Sequence, residues 1–316
     1  SIILPSPFGP WIGLLPDWAA EDSGEHEGHA MQYRSVFRPG AFDGQRIIVT
    51  GGGSGIGRCT AHELASLGAF VALVGRNHEK LSAVAAEISA AGYRPPTLHV
   101  CDIREEKQVK ATIAGVLSAG APVHGLVNNA GGQFMAPLKD ISLNGWEAVV
   151  KTNLTGGFLM ARECYRASME AHGGAIVNII ADMWHSMPGM GHSGAARAGM
   201  LNLTQTAAVE WASSGVRVNA VAPGWIASSG LTKYPESARP RIKELARHVP
   251  LKRFGTESEV SAAIVFLMSE AAAFISGACL RVDGAVPNTR PDLDIPDHDR
   301  SRAYHGFPLE TQIDFL

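Results

Sequence analysis

The residues best able to do chemistry fall into two groups, one built of glycine and one of side chains that hold or move charge. The first is Thr50-Gly51-Gly52-Gly53-Ser54-Gly55-Ile56-Gly57. Glycine is needed there because a Cβ would keep a diphosphate away from the backbone, and the helical pattern starting at Ile56 brings free N–H groups and a positive dipole end. A lone GxGxxG is weak. Between a strand and a helix, opening a βαβ unit, it marks a dinucleotide site contacted by Gly51, Gly53, Ser54, Gly55, Ile56 and Gly57. About twenty residues on, where a carboxylate would bind ribose hydroxyls, the chain has Gly75 and Arg76, and Arg58 directly follows the turn. Two guanidiniums and no acid favour a 2′-phosphate, so NADP(H) is preferred and NAD(H) remains possible. Asp102, followed by Ile103, ends the third strand and is placed to accept from an adenine amino group. The second group is Asp182, Met183, Trp184 and His185, followed by His192, Ser193 and Arg197, the last two sharing a helix face at i, i+4.

Seven short apolar runs must position these groups: 45–50, 70–74, 98–100, 126–128, 175–180, the VRVNAVAPG segment and 279–283. Helical patterns separate them, starting at Ile56 and spanning about 78–91, 105–119, 146–170, 193–213 and 257–271. The expected fold is α/β: a single Rossmann-type doubly wound domain, a seven-stranded parallel sheet with helices on both faces. Ligands then bind along the rim formed by the strand carboxyl ends. Three segments follow: an N-terminal arm over 1–43, the domain over 44–285 and a C-terminal tail over 286–316, expected to wrap a neighbouring subunit or shield the site.

With 316 residues, 46% of them hydrophobic, the chain can bury a full core. A net charge of −3 carries no nucleic-acid footprint. Thirty-five glycines exceed the roughly 7% average, without a collagen period. Four scattered cysteines read as reduced thiols, so a cytoplasmic location is expected. No apolar stretch is long enough for a membrane span. His26 and His29 lack HExxH spacing and a third ligand, so no metal site is expected.

TGGGSGIG, NNAG (128–131), TNLTG (152–156) and VNAVAPG (218–224) follow in an order that resembles the short-chain dehydrogenase/reductase family over about residues 44–285. The resemblance implies hydride transfer in a homotetramer or homodimer. It implies that Asn128, Ala130, Gly131, Pro223, Gly224 and Ile226 line the cofactor crevice, that Asn153 holds a relay water, and that 222–255 is the substrate loop. Gln133 and Trp225 fall near the crevice mouth. The catalytic positions depart from the family. Ser193 stands where members carry tyrosine, Arg197 where they carry lysine, and Ala181 at the usual serine. A serine hydroxyl is a poor proton donor, and arginine stays charged.

HSGAARAG, NNAGGQF and GGAIVNII resemble the peroxisomal trans-2-enoyl-CoA reductases, and the related 2,4-dienoyl-CoA reductases share the serine. Their chemistry passes through an enolate, which needs donors and positive charge. By that resemblance Ser193 donates to the thioester carbonyl and Arg197 grips the ribose and supplies charge. Asp182, desolvated, is the candidate acid, with His185 and His192 as rivals. The substrate would be a small apolar molecule or acyl-CoA, with Arg239, Arg241, Lys243, Arg247, Lys252 and Arg253 available to CoA phosphates. Two alternatives stand beside this: a dehydrogenase of apolar or terpenoid alcohols and aldehydes, and a dinucleotide-binding scaffold or sensor without turnover.

Overall fold

Buried aliphatic and β-branched runs form the strands, and alternate side chains feed two different cores. In the computed structural model, residues 31–316 apart from Pro291 and Leu293 are described. The expectations for residues 1–30, His26 and His29 among them, lie outside the described residues. The chain runs β1 (Arg46–Thr50), α1 (Gly55–Ser66), β2 (Phe70–Gly75), α2 (His78–Ala90), β3 (Thr97–Val100), α3 (Glu106–Leu117) and β4 (Gly125–Asn128). It continues through α4 (Leu143–Val150), α5 (Gly156–Cys164), α6 (Glu170–His172), β5 (Gly174–Ile179), α7 (Gly191–Glu210) and β6 (Val216–Pro223). Last come β7 (Ile226–Ala227), α8 (Arg239–His248), β8 (Gly255–Thr256), α9 (Glu257–Met268) and β9 (Cys279–Val282).

Seven strands form one sheet in the order β3-β2-β1-β4-β5-β6-β9, all pairs parallel. Ile47 and Val49 point into the core that holds Leu64 and Ile264, while Ile48 points into the core of Val109, Ile113 and Met160. That alternation is why both faces carry helices. The order reverses between β1 and β4, so a crevice opens at their carboxyl ends. Among the described residues no helix is long and apolar enough to cross a membrane.

Two details differ from the sequence reading, and the tail adds a third feature. The helix expected over 146–170 begins at Leu143 and is interrupted by π-helical turns at Lys151–Thr155 and Tyr165–Met169. A small parallel pair, β7 with β8, closes the two ends of the substrate loop. The tail folds onto its own chain: Phe307 is buried beside Tyr33 and Cys59, and Ser258 Oγ accepts from the N–H groups of Gly306 and Phe307 at 3.1 and 3.0 Å. Residues 304–310 therefore cover α1 and α9 of their own chain.

Candidate active site

The glycine turn hangs from the end of β1. Thr50 Oγ1 donates to the Val127 carbonyl at 3.2 Å and accepts from the N–H groups of Asn129 and Ala130, both at 3.0 Å. Asn129 Nδ2 donates to the Thr50 carbonyl at 3.0 Å. This ties the turn to the loop after β4. At Gly57 a Cβ would lie 2.5 Å from the Gly51 carbonyl oxygen, so no larger residue fits. Ser54 is the N-cap of α1, yet its hydroxyl caps nothing and stays open to a ligand.

A cleft of about 210 Å³ follows, lined by Gly51, Gly53, Ser54, Arg76, Asp102, Ile103, Ala130 and Gly131, as expected from the sequence, together with Asn77, Lys80, Arg104 and Thr152. The missed cation Lys80 had a signal: Asn77 caps α2 by accepting from the Lys80 N–H at 2.9 Å, which puts Lys80 one turn beyond Arg76. Asp102 lines the cleft but is clasped by Arg104, whose Nε reaches Oδ1 at 2.9 Å and Nη2 reaches Oδ2 at 2.5 Å. Hydrogen bonds from Arg104, and more weakly the Arg76 charge, hold its carboxyl below the usual range. Only its remaining lone pairs can meet an adenine.

Five of the expected contact residues are elsewhere. Arg58 points away from the cleft; its Nε and Nη2 donate to Glu87 at 2.8 and 3.0 Å and Nη1 to the Leu309 carbonyl at 3.0 Å. Asn128 is buried beneath the crevice, with Nδ2 on the Gly157 carbonyl at 3.0 Å and on Asn178 Oδ1 at 2.9 Å. Pro223, Gly224 and Ile226 lie at the carboxyl end of β6, outside the cleft. The Pro223 carbonyl accepts from Asp182 N–H, Gly224 N–H donates to Val282, and Ile226 pairs with Gly255.

The catalytic positions divide. Asn153, in the first π turn, exchanges two hydrogen bonds with the Gly132 backbone, both at 2.9 Å. Its carboxamide holds the loop after β4. Arg197 lies beside it: a Cβ on Gly131 would be 2.5 Å from Arg197 Nη2 and 3.1 Å from Asn153 Oδ1. Arg197 Nη1 donates to the Ile179 carbonyl at 2.5 Å, and its buried Nε has no partner. Desolvation pushes its pKa down to about 10, so it is still charged at neutral pH. Ser193 is fully buried and donates from Oγ to Gln133 Oε1 at 2.8 Å. Gln133 Nε2 in turn donates to the Tyr234 hydroxyl at 3.4 Å, so the substrate loop brings a phenol the sequence reading missed. His192 accepts from Ser193 N–H on Nδ1, which leaves its buried Nε2 unpartnered against the edge of Phe134.

Asp182 is not part of that group. Its carboxyl is raised by burial and by Asp283, and Arg281 and His185 also face it. Exposed Phe134, Met135 and Leu138 form an apolar wall near Ser193, whereas Met190 and Met200 are core. Of the six basic residues expected at a CoA rim, Arg239, Arg247, Lys252 and Arg253 pair with Glu236, Glu244, Asp297 and Glu259. The remaining two are Arg241 and Lys243.

The arrangement fits a nicotinamide dinucleotide: a turn no side chain could fill, cations beyond it, and a guanidinium with an unpartnered buried Nε at the far end. The family model of enoyl-(acyl carrier protein) reductases matches residues 51–286. A citronellol catabolism dehydrogenase of Pseudomonas aeruginosa PAO1 is 60% identical, over 80% of this chain and 99% of that one, with a TM-score of 0.73. A peroxisomal 2,4-dienoyl-CoA reductase of Danio rerio is 32% identical over 254 residues, 80% of this chain and 85% of its own length. A Beutenbergia cavernae structure described as an NAD(P)-dependent gluconate 5-dehydrogenase, with NADP bound at low occupancy, is 33% identical over 80% of this chain and 100% of that one, with a TM-score of 0.74. Fold, crevice and relatives agree: the chain is an oxidoreductase of the short-chain dehydrogenase/reductase family.

Proposed function

We propose that the protein reduces a conjugated, apolar 2-enoyl thioester with NADPH. The observation that carries this reading is Arg197, a half-buried guanidinium whose buried Nε is unpartnered and against which no carboxylate lies among the described residues, beside positions that hold no family tyrosine or lysine. A fixed, uncompensated cation in a dry site stabilises negative charge developing on an enolate oxygen. When bound, the reduced cofactor supplies a hydride to Cβ. Ser193 rotates from Gln133 Oε1 to donate to the thioester oxygen, and Gln133 Nε2 keeps the Tyr234 hydroxyl in place. The α-proton comes from the Tyr234 hydroxyl, which is replenished from solvent. Asp182, turned toward Asp283 and Arg281, braces its loop. Arg76 and Lys80 take the 2′-phosphate, which favours NADPH over NADH. The assembly is a homodimer or homotetramer, to be read by light scattering.

A second reading has its own support. The 60% identity to a citronellol catabolism dehydrogenase, with Tyr234 as an acid–base phenol and Phe134, Met135 and Leu138 as an apolar wall, favours an oxidoreductase of terpenoid alcohols or aldehydes. The paired basic rim weakens CoA binding and leans the same way. NADPH oxidation followed with 2-enoyl-CoAs and with citronellal separates the two. Turnover of the thioester alone supports the first reading, and turnover of the aldehyde alone the second. Tight NADPH binding without any turnover overturns both in favour of a scaffold or sensor.

A further inference from the structure

Glu257 opens α9, and only 1% of its surface is exposed. Neither carboxyl oxygen has a hydrogen-bond partner, although the Ser229 N–H faces it. It lies against the glycine turn: a Cβ on Gly55, whose φ is +57°, would be 3.8 Å from Glu257 Oε1 and 3.5 Å from Ser229 Oγ. Gly55 is the first residue of α1, where a dinucleotide's diphosphate is received.

The charged and titratable neighbours come from two sides. From α1, Arg58 faces the carboxyl but is bidentate with Glu87, and the buried Cys59 thiol is nearby. From the tail, Glu310 adds a like charge, tempered by a hydrogen bond from Ser258 Oγ at 2.8 Å and by His305, whose Nδ1 lies 2.6 Å from Glu310 Oε2. Among the described residues, no cation is left to neutralise Glu257.

We propose that Glu257 makes dinucleotide binding proton-linked, its carboxyl group being neutral whenever a diphosphate lies on the α1 turn. Two anions sharing a site with low water content cannot both stay charged at low cost. Burial already pushes this carboxyl up to about 7, so it is half-ionised near neutral pH in the free protein. Binding then takes up the missing proton from buffer. The sign follows from linkage: affinity is highest below the free-protein pKa and falls as pH rises through it. The inference rests on the dinucleotide site alone and holds for either substrate reading.

The test is calorimetric titration with NADH, which has no titrating 2′-phosphate, in two buffers of different ionisation enthalpy. At pH 8 the wild-type protein should take up nearly one proton and bind about tenfold more weakly than at pH 6. Glu257→Gln should take up none and bind equally at both. Absence of proton uptake by the wild type, or the same pH slope in Glu257→Gln, overturns the proposal. A thermal scan of the free protein gives a second readout. Glu257→Gln should melt higher than wild type at pH 8 and not at pH 5, because only the ionised carboxyl is unfavourably buried. Equal melting at pH 8 overturns the premise.

Discussion

Arg197 shows how one residue sets stability against function. A half-buried guanidinium whose hydrogen-bond partner among the described residues is one carbonyl oxygen lowers stability, and an apolar replacement of similar length should be more stable by about 1 kcal/mol while losing turnover. Chemical denaturation and initial rates of Arg197→Met check both; a variant that keeps wild-type kcat removes the charge-stabilising role. At the other end of the crevice, the Arg76→Ala/Lys80→Ala double variant should lose about 10- to 100-fold in NADPH affinity while NADH affinity holds. Equal losses for both cofactors would mean that these cations do not read the 2′-phosphate. The turn and Arg76 were legible because their chemistry is local. Arg58 was not, because one further residue on a helix rotates a side chain about 100°, here toward Glu87. Asn128 was not, because it ends a buried strand and its side chain turns to Gly157 and Asn178.

At the scale of elements, the parallel strands were legible as continuous apolar runs, since both faces are covered and no polar alternation interrupts them. The π turns were not, because the hydrophobic period through 143–172 barely changes when one extra residue enters a turn. The substrate loop also acquires its shape from distant partners. Its far end is fixed by a capping box in which Thr256 Oγ1 accepts from Glu259 N–H at 3.1 Å and Glu259 Oε2 accepts from Thr256 N–H at 2.9 Å. The Thr256 hydroxyl donates to the Tyr304 carbonyl at 2.7 Å as well. Thr256→Ala should therefore cost about 1 kcal/mol and weaken docking of the tail. Denaturation midpoints and hydrogen exchange at residues 304–307 report the two effects, and unchanged exchange there would remove Thr256 as an anchor.

The whole molecule is finished by contacts no local pattern announces. Phe307 stacks on Tyr33 at 6.0 Å between ring centroids, tilts against His62 at 4.8 Å and lies under Arg58 at 5.0 Å. More than 200 residues separate Phe307 from each of them, so composition alone showed only a proline- and acid-rich tail. Phe307→Ala should destabilise the protein by about 3 kcal/mol and raise proteolysis near residue 300; wild-type stability would show the seat to be dispensable. The same clasp has a mechanical consequence. Arg34 N–H donates to the Gly306 carbonyl at 2.9 Å, Arg34 Nη2 to the His305 carbonyl at 2.9 Å, and the Tyr304 hydroxyl to the Arg34 carbonyl. Tension applied through residues 34 and 306 thus enters at a single point on the surface. It peels this short seam before any load reaches the sheet, so the clasp acts as a fuse that yields while the nucleotide crevice keeps its shape.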